Sequence, residues 1–369
     1  MTASVATGRA TRFQRFILPG LAFKAVVIGG GYATGRELAE FFLPAGPWGG
    51  VAGMILATLI WSGVAATTFA FAHMTRSTDY RALFTALLGR SWVLFEIAYL
   101  LFVVVVLAVF GAAAGAIGAA TLGAPPLAGT LALAAGIVAF ATFGNASVER
   151  LFKYVSFLLY GVYAVFLVLA VTRFGGGIGA AFAAEPAPQD WAVGGLTYAS
   201  YNIVGAVIVL PVLRHLTSRR DAVAAGLIAG PLAMAPAIVF FVAMTAFLPG
   251  IASATLPSDT MLAALNFPAF RILFQTMIFA ALLESGTGAV HAIVERIAHA
   301  SRRDFGPLPR AALAAIVVTA CIFVADRFGL VALIAQGYRA LAVVFLLVYV
   351  VPLLTIGLAR LLKPREVLV

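Results

Sequence analysis

The chain has 369 residues, of which 63% are hydrophobic and only 10% charged, with a formal net charge of +10. Soluble domains carry about 25% charged residues, and a mean hydropathy of +1.06 excludes a cytosolic enzyme or a nucleic-acid-binding module. A single cysteine, Cys321, excludes a disulfide scaffold. The positive charge is dispersed between long apolar runs, the pattern of a protein whose partner is membrane lipid rather than nucleic acid.

A helix needs about 20 residues to cross a hydrocarbon core of about 30 Å. The sequence predicts ten such spans, at 17–43, 49–73, 92–121, 126–144, 154–172, 193–213, 222–248, 268–300, 309–325 and 330–362. Runs of this length in lipid must be helical, because no water is present to pair the backbone. The first apolar segment is full length and has no leader-type cleavage pattern. With the N-terminus cytoplasmic, the inner segments hold 19 of the 24 basic residues; Arg36, Arg173, Arg271, Arg327 and Arg339 are the exceptions. A multi-pass protein of the cytoplasmic (inner) membrane with both termini on the cytoplasmic side is therefore expected. The outer connections are a Gly-, Ala- and Pro-rich stretch at 174–192 and short amphipathic pieces at 249–267 divided by Pro257 and Pro268.

The expected organisation is a cytoplasmic segment 1–16, one membrane domain 17–362 and a tail 363–369. The domain divides into halves 17–173 and 192–362. Five spans reverse direction once, so the second half enters from the opposite side, as in an inverted repeat.

Span one contains Gly29-Gly30-Gly31-Tyr32-Ala33-Thr34-Gly35, four glycines in seven residues. Each weakens a helix by about 1 kcal/mol relative to Ala and lets the backbone unwind or approach a ligand. Arg36, Glu37 and Glu40 follow, with Arg36 and Glu40 spaced to pair along a helix. Trp48, Trp92 and Trp191 fall at span ends and read as interfacial anchors, whereas Trp61 lies inside span two with no evident role. Span six carries the polar cluster Thr197-Tyr198-Ala199-Ser200-Tyr201-Asn202 before Gly205. Interruptions at equivalent places in two halves point to a transporter binding site; close helix packing through small residues is the competing explanation. No charged side chain is apparent beside Gly31 or Asn202, which favours a zwitterionic or neutral solute.

In span eight, Glu284 lies roughly 24 Å from the outer end at 1.5 Å per residue. Charge at that depth costs at least about 2.5–3.5 kcal/mol and marks a functional candidate. Glu284, Gly288, His291 and Glu295 form one polar stripe, a proton path or merely a water-exposed helix extension. Arg339 lies about nine residues into span ten.

The run from Gly29 to Leu38, followed by Glu40-Phe41-Phe42, resembles the first-helix signature of YkvI-like bacterial membrane proteins, which typically read G-A-G-F-A-T-G-R/Q-E. The Tyr-x-Ser-Tyr-Asn stretch at 198–202 resembles that family's sixth helix. The family in turn resembles LeuT-fold transporters of the amino acid–polyamine–organocation superfamily. The resemblance implies an all-α membrane protein of ten helices, a five-plus-five inverted repeat with helices one and six broken. Ala281-Leu282-Leu283-Glu284-Ser285 resembles the eighth-helix cation motif of sodium-coupled members, with Glu284 in place of the first hydroxyl residue. The resemblance implies partner carbonyls from Ala25 and Ile28. It also implies an outer salt-bridge gate, for which Arg339 with Glu37, beside Arg36, is the candidate.

The expected function is cation-coupled secondary transport of a small solute, an amino acid or amine, by alternating access. Gly29, Gly31, Tyr32, Thr34, Ser200, Tyr201, Asn202 and Gly205 are the expected solute contacts. Ala25, Ile28, Ala281, Glu284 and Ser285 are the expected coupling residues. The coupling ion is H+ or Na+, since a carboxylate can titrate or bind a hard cation; no organic cofactor is required. A channel or non-transporting sensor on the same fold is the alternative. The sequence has no HExxH or GxxxxGK[ST] motif, which speaks against an intramembrane enzyme or an ATP-driven pump.

Overall fold

A computed structural model describes residues 11–142, 145–184, 190–301 and 306–363. The predicted terminal segments 1–16 and 363–369 lie largely outside these residues, and so does the side chain of Glu295. Among the described residues there is no strand. The helices are α1 (Leu18–Val27), α2 (Gly30–Ala33), α3 (Arg36–Phe41), α4 (Gly46–Thr75), α5 (Tyr80–Leu88), α6 (Trp92–Leu122), α7 (Pro126–Thr142) and α8 (Asn145–Ala183). They continue as α9 (Trp191–Asn202), α10 (Gly205–Ile208), α11 (Arg219–Thr245), α12 (Pro257–Ala264), α13 (Pro268–Ser301), α14 (Pro307–Ala332), α15 (Arg339–Phe345) and α16 (Leu358–Leu362).

Among the described residues six helical stretches are long and apolar enough to cross a membrane: Arg36–Thr75, Tyr80–Leu122, Gly161–Ala183, Arg219–Thr245, Pro268–Val294 and Pro307–Leu362. The last covers 56 residues, and Gly329, at φ 71° and ψ 168°, folds it into two helices. Only glycine adopts that conformation without strain, and it lies between the two final predicted spans. One boundary differs from expectation. The stretch from 174, read as a connection, continues α8 to Ala183. Its glycines do not end the helix, and the first proline comes only at position 186.

Packing divides the helices into two groups. One joins α1, α4, α9 and α11; the other joins α6, α7, α13 and α14. Helices of the first half lie against counterparts from the second, as α4 on α11, α6 on α13, and α7 on α14. Such pairing is what an inverted repeat produces. Contact between α4 and α11 is close because Gly226 and Gly230 present no side chain: a Cβ on Gly226 would fall on the Ala66 backbone. Membrane helices gain their association from such packing rather than from a hydrophobic force. Pro231 lacks an N–H, which leaves the Leu227 carbonyl without its helical donor. Ser62 Oγ of α4 donates to that carbonyl at 3.0 Å, so the pair also resolves a polar defect that lipid could not.

Candidate functional site

The first interrupted helix leaves helical geometry twice. α1 ends at Ile28, whose ψ of 76° turns the chain outward. Gly29 N–H then donates to Val27 O at 2.8 Å, and the short turn α2 follows. Gly35 has φ +80°, from which α3 starts in a new direction. A side chain at Gly35 would be strained by that φ and would meet the Phe240 ring and Pro257. The connection between α11 and α13 covers this region: Ser258 N–H donates to Thr34 O at 2.9 Å, and Arg36 Nη1 donates to Ala252 O at 2.8 Å and Ala254 O at 3.0 Å.

The turn at Gly35 brings Glu37 back against Gly31, where a Cβ would fall on Glu37 Oε1. Glu37 is 3% exposed. Tyr201 Oη of α9 donates to its Oε2 at 2.6 Å, and the Tyr32 backbone N–H and Asn202 side-chain amide also approach the carboxylate. The Tyr201 ring stacks on Tyr338 at 4.4 Å and meets Tyr198 edge-on at 5.7 Å. The Tyr198 hydroxyl is buried with no hydrogen-bond partner, while the Tyr32 hydroxyl is directed at that of Tyr163 on α8. A carboxylate therefore stands where the two interrupted helices meet, which corrects the expectation that no charge lies near Gly31 or Asn202. The sequence misses it because Glu37 is six residues beyond Gly31, a separation that places two side chains together only if the chain turns between them.

Arg339 does not reach Glu37. Its Nη2 lies 3.4 Å from Glu40 Oε1, and Arg36 Nη2 lies 2.9 Å from Glu40 Oε2. Arg36 and Glu40 share one face of α3, while Glu37 is rotated about 100° toward α9. Among the described residues Glu37 pairs with no cationic side chain. An ionised carboxylate buried without a counter-charge costs several kcal/mol.

The other expected solute contacts are spread around this point. Thr34 Oγ1 donates to Gly31 O at 3.1 Å, Ser200 Oγ to Leu196 O at 2.6 Å, and Asn202 Nδ2 to Tyr198 O at 3.2 Å. Gly29 faces the Phe110 ring and Gly205 the Phe23 ring. The second interruption is milder than the first. Ile203 and Val204 remain right-handed, and Ala206 N–H bonds Ile203 O at 2.9 Å, so the helix tightens rather than unwinds. Trp61, which the sequence leaves without a role, supports this segment. Its indole Nε1 donates to Ala199 O at 3.1 Å, and its ring meets Phe23 and Tyr198, both at 5.5 Å.

A cavity of about 370 Å³ lies between α1, α6 and α13. Ala25, Ile28, Ala281, Glu284 and Ser285 all line it. None of the eight expected solute contacts does. From Ile28 and Phe110 the cavity runs along α6 to Tyr99 and along α13 to Ala292. Glu284 is half-buried on its wall, and Gly288 of the predicted polar stripe lines it too, whereas His291 does not.

No family model matches the chain, and no curated protein matches it. Solved structures do share its architecture. The crystal structure of MhsT in complex with L-phenylalanine superposes with TM-score 0.59 at 16% identity, covering 92% of this chain and 88% of that one. The substrate-bound outward-open state of a Na+-coupled sialic acid symporter superposes with TM-score 0.61 at 14% identity, covering 95% and 81%. At these identities the likeness establishes the fold: this is a helical membrane protein with the LeuT architecture.

Proposed function

We propose that the protein is a cation-coupled secondary active transporter of a small solute, working by alternating access across ten helical crossings with both termini cytoplasmic. The observation that carries this reading is the convergence of Ala25, Ile28, Ala281, Glu284 and Ser285 on one cavity between α1 and α13. Two helices far apart in sequence thus bring residues that bear carbonyl, hydroxyl and carboxylate oxygen to the wall of one cavity. Such donors suit a hard cation, and the carboxylate alone suits a proton.

The conformation is inward-facing in this reading. The cavity extends toward the end where α6 starts and α13 finishes, the end that basic residues mark as cytoplasmic. At the opposite end, Arg36, Glu40 and Arg339 form an ion-pair network. Nearby, Arg271 grips Asp259 through two bonds of 2.7 Å. Alternating access then requires these contacts to part as the cavity closes.

Glu284→Gln tests the reading in proteoliposomes. Solute counterflow should survive, because exchange needs no net ion movement. Accumulation driven by a pH or sodium gradient should vanish, and the gradient that drives the unaltered protein identifies the coupling ion. Normal accumulation with intact ion dependence in this variant would falsify the assignment.

A further inference from the structure

We infer that Glu37 occupies the place of a solute carboxylate, and that the solute is an organic amine with an apolar body and no carboxylate of its own. The inference rests on the transporter reading above and narrows its substrate class. In transporters built on broken helices, main-chain N–H groups freed by the interruption hold an anionic group of the solute. Here the chain's own carboxylate lies against Gly31, approaches the Tyr32 N–H and accepts from Tyr201 Oη. A solute carboxylate at this point would meet a like charge in a site shielded from water, and like-charge contact of that kind opposes binding.

The missing element is positive. Arg36 and Arg339 both turn to Glu40, so neither neutralises Glu37. Around the carboxylate stand the Tyr32 backbone N–H of α2 and the Tyr201 hydroxyl and Asn202 amide of α9, with the rings of Tyr198 and of Tyr338, in the segment preceding α15, packed on Tyr201. An ammonium group is attracted to a carboxylate and to aromatic faces alike. It also has three N–H donors, and the buried hydroxyl of Tyr198, whose ring meets that of Tyr201, has no partner. A protonated amine therefore supplies both the counter-charge and the donors that the site lacks.

The cavity below has the same preference. Among the described residues its only charged lining residue is the carboxylate Glu284, and no basic side chain lines it. The rest is aliphatic and aromatic, with Tyr99, Phe102 and Phe110 along one wall. A carboxylate-bearing solute crossing this cavity passes one acid to reach another. An apolar amine crossing the same cavity meets rings along its body and one acid, Glu284, beside its head.

Matched pairs test this with the full chain in detergent: phenethylamine beside L-phenylalanine, and isoamylamine beside L-leucine, each scored by thermal stabilisation and by binding isotherm. The amines should stabilise the unaltered protein and bind at least tenfold tighter than the parent amino acids. Glu37→Gln should lose at least tenfold in amine affinity, while Glu37→Asp, which keeps the charge, retains amine selectivity. Preference for the amino acids in the unaltered protein overturns the inference without any variant. Amine affinity within twofold of normal in Glu37→Gln overturns it too. Amino acids that bind and exchange in counterflow leave the transporter reading standing and this inference fallen. If nothing in either class binds or exchanges, both fall together.

Discussion

The first interrupted helix leaves the right-handed region at Ile28 and again at Gly35, whereas the polar stretch of the second, from α9 into α10, never leaves it. The difference lies in what each interruption contains. Gly35 permits a positive φ at no steric cost. Residues 199–204 hold no glycine or proline, and their polar side chains bond back to carbonyls one turn earlier, as Ser200 and Asn202 do. Polarity alone does not unwind a helix whose side chains can satisfy themselves locally. Conformational freedom is thus concentrated in one element, and the second acts as the wall on which Tyr201 holds Glu37.

The largest test of this asymmetry is Gly31→Leu. The new side chain would fall on the Glu37 carboxylate and displace it from Tyr201. Overpacking of this kind costs about 1–3 kcal/mol, so the melting temperature in detergent should fall. Solute binding should be abolished while the protein still inserts. Unchanged solute affinity would mean that the contact between Gly31 and Glu37 has no part in the site.

Next is Gly35→Ala. A left-handed conformation costs an L-residue about 1–2 kcal/mol, and the Cβ would also press on Phe240 and Pro257. The melting temperature should drop, and the drop should exceed that of Gly205→Ala, where the backbone stays right-handed. Equal drops at both interruptions would erase the distinction between them.

Much of the fold was legible because lipid leaves the backbone few choices: long apolar runs are helices, and Gly329 and Pro268 punctuate them. The face of α13 was legible for a related reason. Ala281, Glu284, Ser285 and Gly288 lie on a continuous helix, where 3.6 residues per turn fixes their register, and all four line the cavity, whereas His291 of the predicted stripe does not. Register is lost at a true break. Glu37 follows Gly35, so the direction of its side chain depends on a dihedral angle that no periodicity encodes, and its partner Tyr201 belongs to the other half of the chain. The pairing of Arg339 with Glu40 was hidden for the same reason. Trp61 was silent because an indole N–H inside an apolar span announces only that it needs an acceptor, not that Ala199 supplies it.

Trp61→Phe sharpens the comparison from the side of the milder interruption. It removes the donor to Ala199 O while keeping an aromatic ring against Phe23 and Tyr198. A net hydrogen bond contributes about 0.5–1.5 kcal/mol. The same carbonyl still accepts from Ile203 N–H at 3.0 Å, so the loss should lie near the lower end. A small fall in melting temperature with solute affinity little changed is expected. A large loss of solute binding would show that helix six is held in place by this indole rather than by its own hydrogen bonds.

The smallest effect belongs to Gly205→Ala. Gly205 opens α10 in right-handed geometry, so alanine gains about 0.5–1 kcal/mol of helical preference there. Against that gain, the new Cβ would lie 3.1 Å from two carbons of the Phe23 ring, which must shift by a few tenths of an ångström. Phe23 is fully buried and packs edge-on against Trp61, so the shift has a cost of its own. The two terms oppose each other at similar size, and the melting temperature should stay close to that of the unaltered protein. A drop as large as that of Gly35→Ala would require Gly205 to adopt a glycine-only conformation at some stage of the transport cycle, and the second helix would then unwind as the first does.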